Sequence, residues 1–395
     1  MKIQTFLALL VILVLTPVKQ IINLQNYIIF APANATTQVN QSPVGRIIEA
    51  DGKVFLKRQN WSEYHPVFVG TELYAQDKIK LTSEANLIAI CYANWKTWSL
   101  PKNNISQTMD GCLQAKSQCV ETPDGCVPFD ATRGINQVAI TDKIPYLISP
   151  RHTLLLPDKP LILHWNPVAG ATRYTVTIKS PSEYIWETEV SENQVIYSGE
   201  LPLKTGVRYT VIVHTDTEIS SLDEKSPFSK QDYLGIGFAV ISKSQQQEIL
   251  AKSEELTQKL DGEARVLSIA ELYQQNGLNG EAIAILESFI DQGYYTSTVY
   301  RILGEIYQQI QLPALAKDYY LQSAELMAVD DVAGRGKLEA TLGEVYAILG
   351  SNEEAIRWLN LAYKRYEELG QVERGDELKL SLEKLHKQLR EESNQ

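Results

Sequence analysis

Residue types that carry catalysis are sparse in this chain and rarely fall in working combinations. Five histidines are scattered over 395 residues. No G-x-S-x-G elbow, H-E-x-x-H pair or phosphate-cradling G-x-x-x-x-G-K-[ST] loop occurs. Gly235-Ile-Gly237 lacks the third glycine of a dinucleotide loop and sits late in a β pattern. Paired carboxylates such as Asp330 and Asp331 fall at turns, where capping and solvation account for them. His152, His164 and His214 lie in one region, but strand alternation puts His164 on the face opposite Trp165, so a shared metal site would need an accidental convergence. No catalytic residue, metal site or cofactor is expected, and the chain reads as a non-enzyme.

Thiols are the other reactive groups. Cys91, Cys112, Cys119 and Cys126 fall inside one 36-residue window. Paired CxxC spacings are absent, and the last three are seven apart in sequence rich in Gly, Asp, Pro and Gln, which favours two disulfides over a zinc or redox centre. Three connectivities are open; Cys91, in an apolar strand-like run, must pair with a loop cysteine if all four are oxidised. Lasting disulfides imply an oxidising compartment. The N-terminus agrees: Lys2 precedes an apolar run over residues 6–15, too short to cross about 30 Å of hydrocarbon as a straight helix. Ala33-Asn34-Ala35 would place cleavage before Thr36, while a second apolar stretch at 21–30 keeps an uncleaved anchor open. Residues 1–35 are thus a signal peptide or N-terminal anchor, and either sends the rest to the periplasm, envelope or exterior.

Charge divides the chain in two. Of the formal net charge of −11, all belongs to residues 245–395, whereas residues 1–244 hold 22 basic and 22 acidic side chains. No long basic face is present, which excludes a nucleic-acid partner held by phosphate neutralisation.

In the acidic part, apolar residues recur at helical spacing. Ile269-Ala270-Glu-Leu-Tyr273 with Ala282, Leu303-Gly304-Glu-Ile-Tyr307 with Ala316, and Leu342-Gly343-Glu-Val-Tyr346 with Ala355 form an internal repeat at intervals of 34 and 39 residues. The small residue nine positions after each Tyr marks a close helix crossing. The five extra residues are assigned to a longer inter-repeat turn over 327–337, signalled by Asp330-Asp331, Gly334 and Gly336. A leading helix is expected at 245–260 and a polar capping helix at 374–391. This pattern resembles the tetratricopeptide repeat. The resemblance implies a concave groove, lined by the first helix of each pair, that binds segments of other proteins. Mapped onto this chain, the groove positions are Glu271, Glu305 and Glu344, then Gln274, Gln275, Gln308 and Gln309 one turn on, with Arg301 beside them; the third repeat departs with Ala347 and Ile348. Glutamates exclude a partner's terminal carboxylate and suit a basic or amide-rich segment.

Residues 44–143 read as a small β domain: short apolar runs broken by turns, with Asp51-Gly52 as a hairpin signal. The succession of Gly45, Asp51-Gly52, Val69-Gly70-Thr, Asp77-Lys-Ile and Ala85-Asn-Leu-Ile resembles FecR-like domains of exported bacterial proteins. Trp61, Trp95 and Trp98 fit either a small core or an aromatic ligand platform, the core being favoured. Residues 145–242 carry about six strands at regular spacing. Leu163-His-Trp165-Asn-Pro167 through Tyr174, and Gly206-Val-Arg-Tyr209, resemble the core Trp and tyrosine corner of fibronectin type III sandwiches. The expected architecture is therefore multi-domain, all-β followed by all-α, ending in an α-helical solenoid at 245–395. The whole arrangement is similar to exported multi-domain proteins of bacteria, cyanobacteria in particular. Two functions follow: a non-enzymatic exported scaffold binding a protein partner through the repeats, or an envelope or carbohydrate sensor using the first β domain.

Overall fold

The computed structural model describes residues 42–100, 105–113, 119–122, 125–128, 143–199, 201–223 and 236–392. The leader expected at 1–35 lies outside them, as do the side chains of Cys119 and Cys126. In the first β unit, alternating apolar residues build β1 (Gly45–Asp51), β2 (Val54–Lys57), β3 (His65–Pro66), β4 (Glu72–Leu73), β5 (Lys78–Leu81), β6 (Asn86–Cys91), β7 (Lys96–Ser99) and β8 (Ile105–Gln107). They form two sheets, ordered β4-β1-β6-β7 and β3-β2-β5-β8, which close on one core containing Ile47, Val54, Leu56 and Ile79.

The Asp51-Gly52 turn does not close the expected hairpin. β1 pairs with β4 and β6, while β2 pairs with β3 and β5. Gly52 supplies the positive φ of a tight reversal, but the chain crosses there from one sheet to the other. Val54 and Leu56 can cover Ile47 only from the facing sheet, not from beside it. β1 is apolar on both faces: Ile47 enters this core, and Ile48 enters the core of the helices.

Cys91 and Cys112 form a disulfide, and β9 (Cys119–Thr122) and β10 (Gly125–Pro128) form a hairpin. Trp61 and Trp95 are only 4% and 8% exposed, so neither offers a ring face to a ligand. Trp98 is half-buried, with Gly111 against its ring, where a Cβ would stand 2.0 Å from the indole.

The second unit contains β11 (Leu147–Ser149), β12 (Thr153–Leu155), β13 (Ile162–Trp165), β14 (Tyr174–Lys179), β15 (Tyr184–Val190), β16 (Gln194–Ile196), β17 (Arg208–Thr215) and β18 (Gly237–Val240). Its sheets, β11-β13-β16 and β12-β18-β17-β14-β15, share a core around Trp165, Val176 and Tyr209. The Tyr209 hydroxyl accepts a hydrogen bond from Lys204 N at 2.6 Å, pinning the chain that enters β17. His164 bonds Asn193 and His214 is exposed on β17, while His152 packs against the helices.

Eight helices follow among the described residues: α1 (Lys243–Lys259), α2 (Gly262–Gln275), α3 (Asn279–Asp291), α4 (Ser297–Gln309), α5 (Pro313–Leu326), α6 (Val332–Ile348), α7 (Asn352–Glu368) and α8 (Val372–Glu392). Ser242 and Gln245 make a reciprocal capping box on α1. The pairs α2–α3, α4–α5 and α6–α7 cross at the small residues of the repeat. A Cβ on Gly304 would come 2.5 Å from the Tyr320 ring, and one on Gly343 2.5 Å from Leu359. Ala270, Ala282, Ala316 and Ala355 are fully buried, whereas Tyr273 and Tyr346 pack at the edge of the core.

The long turn expected over 327–337 is shorter than that. Helix α6 begins at Val332, capped by Asp331, whose carboxylate accepts from Gly334 N at 2.8 Å. The extra residues go into helix rather than turn, mostly into the N-terminal part of α6, which is 17 residues long against 13 for α4. Gly336 is helical because α7 passes close by: a Cβ there would be 3.1 Å from Arg365 Cβ.

Candidate functional site on the face of α2, α4 and α6

The first helix of each pair presents the predicted groove residues on one face, and the first β unit sits on that face. Arg46 of β1 is 3% exposed and is surrounded by acceptors. Its Nε donates to Glu271 Oε2 of α2 at 3.0 Å and to Tyr92 Oη at 3.3 Å. Nη1 donates to the Gly70 carbonyl at 3.0 Å. Nη2 stands 3.5 Å from Glu72 Oε1 and 3.7 Å from Glu305 Oε2 of α4.

The helices send cations in return. Arg301 donates to the Gly70 carbonyl at 2.7 Å and to Glu305 at 2.6 Å, and Lys337 of α6 donates to Glu72 at 2.8 Å. Thr298 Oγ1 donates to the Val69 carbonyl at 2.9 Å. Gly70 is required twice over: its φ is +87°, and a Cβ would lie 2.3 Å from Thr298 Cγ2.

Three carboxylates, Glu72, Glu271 and Glu305, therefore interleave with three cations, Arg46, Arg301 and Lys337. Such an arrangement recovers the desolvation cost that isolated buried charges would carry. Burial alone would raise the Glu72 carboxyl; Lys337 and Arg46 outweigh it and hold the group far below the usual range. Glu305 is held down in the same way, burial being overcome by Arg301, Lys337 and Arg46. Burial opposes the charge on Arg46, but Tyr92 and the three glutamates raise its pKa further.

The remaining predicted groove residues also have partners within the chain. Gln275 donates to Glu271 Oε1 at 2.9 Å, Gln274 to Gln309 at 3.0 Å, and Tyr320 to Gln308 at 2.7 Å. Glu344 lies 3.7 Å from Arg374 of α8, and burial pushes its carboxyl up against that partner. The structure thus gathers Glu271, Arg301 and Glu305 into one cluster and places Glu344 outside it.

Sequence reasoning missed Arg46, Gly70 as a docking point, Glu72, Thr298 and Lys337. Arg46 leaves one trace: it is a lone cation inside the run from Gly45 to Ile48, all of which is buried.

A second contact joins the other β unit to the helices through the backbone. Leu154 N donates to the Gly277 carbonyl at 2.8 Å, Asn279 Nδ2 to the His152 carbonyl at 2.8 Å, and Arg151 Nε to the Ile310 carbonyl at 2.8 Å. One apolar core runs through all three modules, with Ile48, Ile90 and Tyr92 from the first β unit and Leu154, Leu156 and Ile241 from the second packed among the helices.

No protein-family model matches the chain, and no curated protein matches it. Similar solved structures include MamA, 20% identical, covering 39% of this chain and 95% of that one with a TM-score of 0.26. They also include the type III secretion translocator chaperone SycD of Yersinia enterocolitica, at 22% identity, 32% and 84% coverage and a TM-score of 0.27. A third is PcrH in complex with the chaperone-binding region of PopD, at 15% identity, 38% and 96% coverage and a TM-score of 0.26.

Proposed function

We propose that the chain is a non-enzymatic, exported adaptor that binds a protein partner, and that its helical groove holds its own first β unit rather than that partner. The observation that carries this reading is Arg46, buried between Glu271, Glu305, Glu72 and the Gly70 carbonyl. The basic group that an acidic groove calls for is supplied from within the chain. The modules then form one composite body that displays surfaces in fixed relation.

Export is supported by the Cys91–Cys112 disulfide and the apolar leader. In this reading the β units are FecR-like and fibronectin-like spacers. The periplasm or envelope is the place of action, with a protein as the partner and no nucleic acid or cofactor.

The test is affinity capture from an envelope extract, with the full chain and its Arg46→Glu variant immobilised in parallel. A carboxylate at position 46 would face three others and break the dock. Saturable retention of a protein by the wild type, lost or lowered in the variant, is the expected result. Stronger retention by the variant would make the groove a masked partner site instead. Retention of glycan alone would overturn the adaptor reading.

A further inference from the structure

Sheet β3-β2-β5-β8 has an inner and an outer face. Strand alternation sends Val54, Leu56, Ile79 and Leu81 into the core of the first β unit. The residues between them, Phe55 and Lys57 on β2 and Lys78 and Lys80 on β5, point outward, as does Ile105 on β8. The register sets them in rows. Phe55 stands opposite Lys80 and Lys80 opposite Ile105, while in the next row Lys57 stands opposite Lys78. Thr82 N donates to the Lys53 carbonyl at 3.3 Å, which continues the β2–β5 pairing by one residue and puts Lys53 on the same side. Lysines dispersed over residues 53–80 of the sequence thus form one face.

No carboxylate oxygen among the described residues stands within 4.0 Å of any of these four lysines; Lys57 Nζ donates to the Ser62 carbonyl at 2.6 Å. The acidic side chains of the same unit are engaged elsewhere: Glu72 by Arg46 and Lys337, Asp77 by Arg58, and Asp110, just past β8, by the Gln107 N–H. Lys57 and Lys78 face each other directly across an antiparallel pair, where like charges are destabilising. Lysines that guard a sheet against stray pairing belong on edge strands, but β2 and β5 are the two central strands of this sheet. Solubility does not require them either, since the chain already carries a net charge of −11. A face kept basic at a cost in stability is complementary to an anionic surface.

The apolar residues on this face say which anionic surface. Ile105 is 60% exposed and Phe55 is half-buried, and the two flank Lys80. A soluble polyanion would leave them in water. A bilayer accommodates both kinds of side chain, its anionic headgroups meeting the ammonium groups while the apolar side chains reach the acyl boundary. The sequence adds a second pointer. Apolar runs at 6–15 and 21–30 precede the unit, and residues 31–44, which join them to β1, could span at most about 50 Å. A leader left uncleaved would therefore hold this unit near a membrane. We propose that the outer face of sheet β3-β2-β5-β8 lies on an anionic lipid bilayer. The proposal goes beyond the adaptor reading: it gives the composite body an orientation on the membrane and leaves its partner surface elsewhere.

The test is co-sedimentation of the full chain with vesicles of phosphatidylcholine alone or of equimolar phosphatidylcholine and phosphatidylglycerol, at low and high salt. The wild type is compared with the double variant Lys78→Gln, Lys80→Gln, with Ile105→Ser and, as a control off this face, with Lys96→Gln on β7 of the other sheet. An anchor retained by the chain binds both kinds of vesicle and cancels in the comparison. The wild type should prefer the anionic vesicles, and the preference should fall at high salt. The double variant should lower it about 25-fold, at about fivefold per lysine. Ile105→Ser should weaken binding to anionic vesicles severalfold, and Lys96→Gln should change nothing. If the double variant loses the wild-type circular dichroism spectrum, Lys53→Gln with Lys80→Gln takes its place.

Equal binding of the wild type to both kinds of vesicle, or an unchanged anionic preference in the double variant, overturns the proposal. Binding to soluble dextran sulfate as tight as to the anionic vesicles, with Ile105→Ser indistinguishable from the wild type, makes the partner a soluble polyanion and also overturns it. The adaptor reading is tested apart from this, by capture of a partner protein with Arg46→Glu, and stands or falls whatever the vesicles show.

Discussion

The two faces of α6 solve the same problem in opposite ways. Toward the first β unit, Lys337 joins a cluster in which every carboxylate has a cation and every cation a carboxylate or carbonyl. Toward α5 and α7 the pairing is looser: Glu339 meets Arg365 Nε only at 3.6 Å, and the indole N–H of the half-buried Trp358 has no acceptor among the described residues. Fully satisfied polar groups rigidify and specify a packing, and loosely paired ones do so less. The net acidity of the helices, the plainest electrostatic property of the sequence, is therefore a poor guide to outside partners. Its recurring glutamates are already committed to Arg46 and Arg374.

The sharpest way to break this contrast is to unbalance the paired face. Arg46→Met leaves Glu271 and Glu305 without their shared cation, and should cost about 3–5 kcal/mol of stability, read by chemical unfolding. Adding Glu271→Gln should recover a large part of that loss, with a coupling above about 1 kcal/mol in the double-mutant cycle. A coupling near zero would mean that the two side chains are neighbours and no more.

Acid should separate this dock from the second one. Burial, with Arg151 and Arg208 nearby, pushes the His152 imidazole down to about 3 from 6.5. A folded pKa below the unfolded value means that the unfolded chain takes up the proton first. The His152 contribution is thus complete above pH 6.5 and is lost as pH falls toward 3, by at most about 5 kcal/mol. Glu72 and Glu305 are also depressed, but from 4.5, so their contribution fades only below that pH. Stability followed against pH should begin to fall near 6.5 in the wild type, and the fall between pH 6.5 and 4.5 should be much smaller in His152→Gln, where only the more exposed His65 and His164 are still pushed down by burial. Identical profiles would remove the histidine from the account.

Steric effects come next. Gly304→Ala should cost about 1–3 kcal/mol, because its methyl group meets the Tyr320 ring, a closely packed neighbour. The same change at Gly280, where a Cβ meets nothing within 4 Å, should be neutral or slightly stabilising in the same melting experiment.

What could be read in the sequence was what is local. Gly304, Gly343 and the alanines of the repeat follow from helix crossing, and the recurrence of Glu271 and Glu305 identifies one face. Gly334 and Gly336 misled because glycine serves turns and helices alike: Gly334 makes room for the Asp331 cap of α6, and Gly336 for Arg365 on α7. Asp51-Gly52 misled similarly, since a tight reversal is compatible with pairing beside or with crossing to the facing sheet. The dock itself was hidden by distance: Arg46 and Glu271 are 225 residues apart, and no period links them.

The smallest effect tests whether position within the cluster matters at all. Lys337 bonds Glu72 at 2.8 Å, a better distance than either contact of Arg46 Nη2, yet it is 48% exposed where Arg46 is almost wholly buried. Water and salt screen an exposed pair and leave a buried one nearly untouched. Lys337→Met should therefore cost no more than about 1 kcal/mol at low ionic strength, and less at high salt. The loss in Arg46→Met should persist across the same range. Unfolding free energies of both variants at two salt concentrations decide the point. If the two losses are equal and respond alike to salt, the six charges act as one screened network, and the distinction between its buried centre and its wet rim falls.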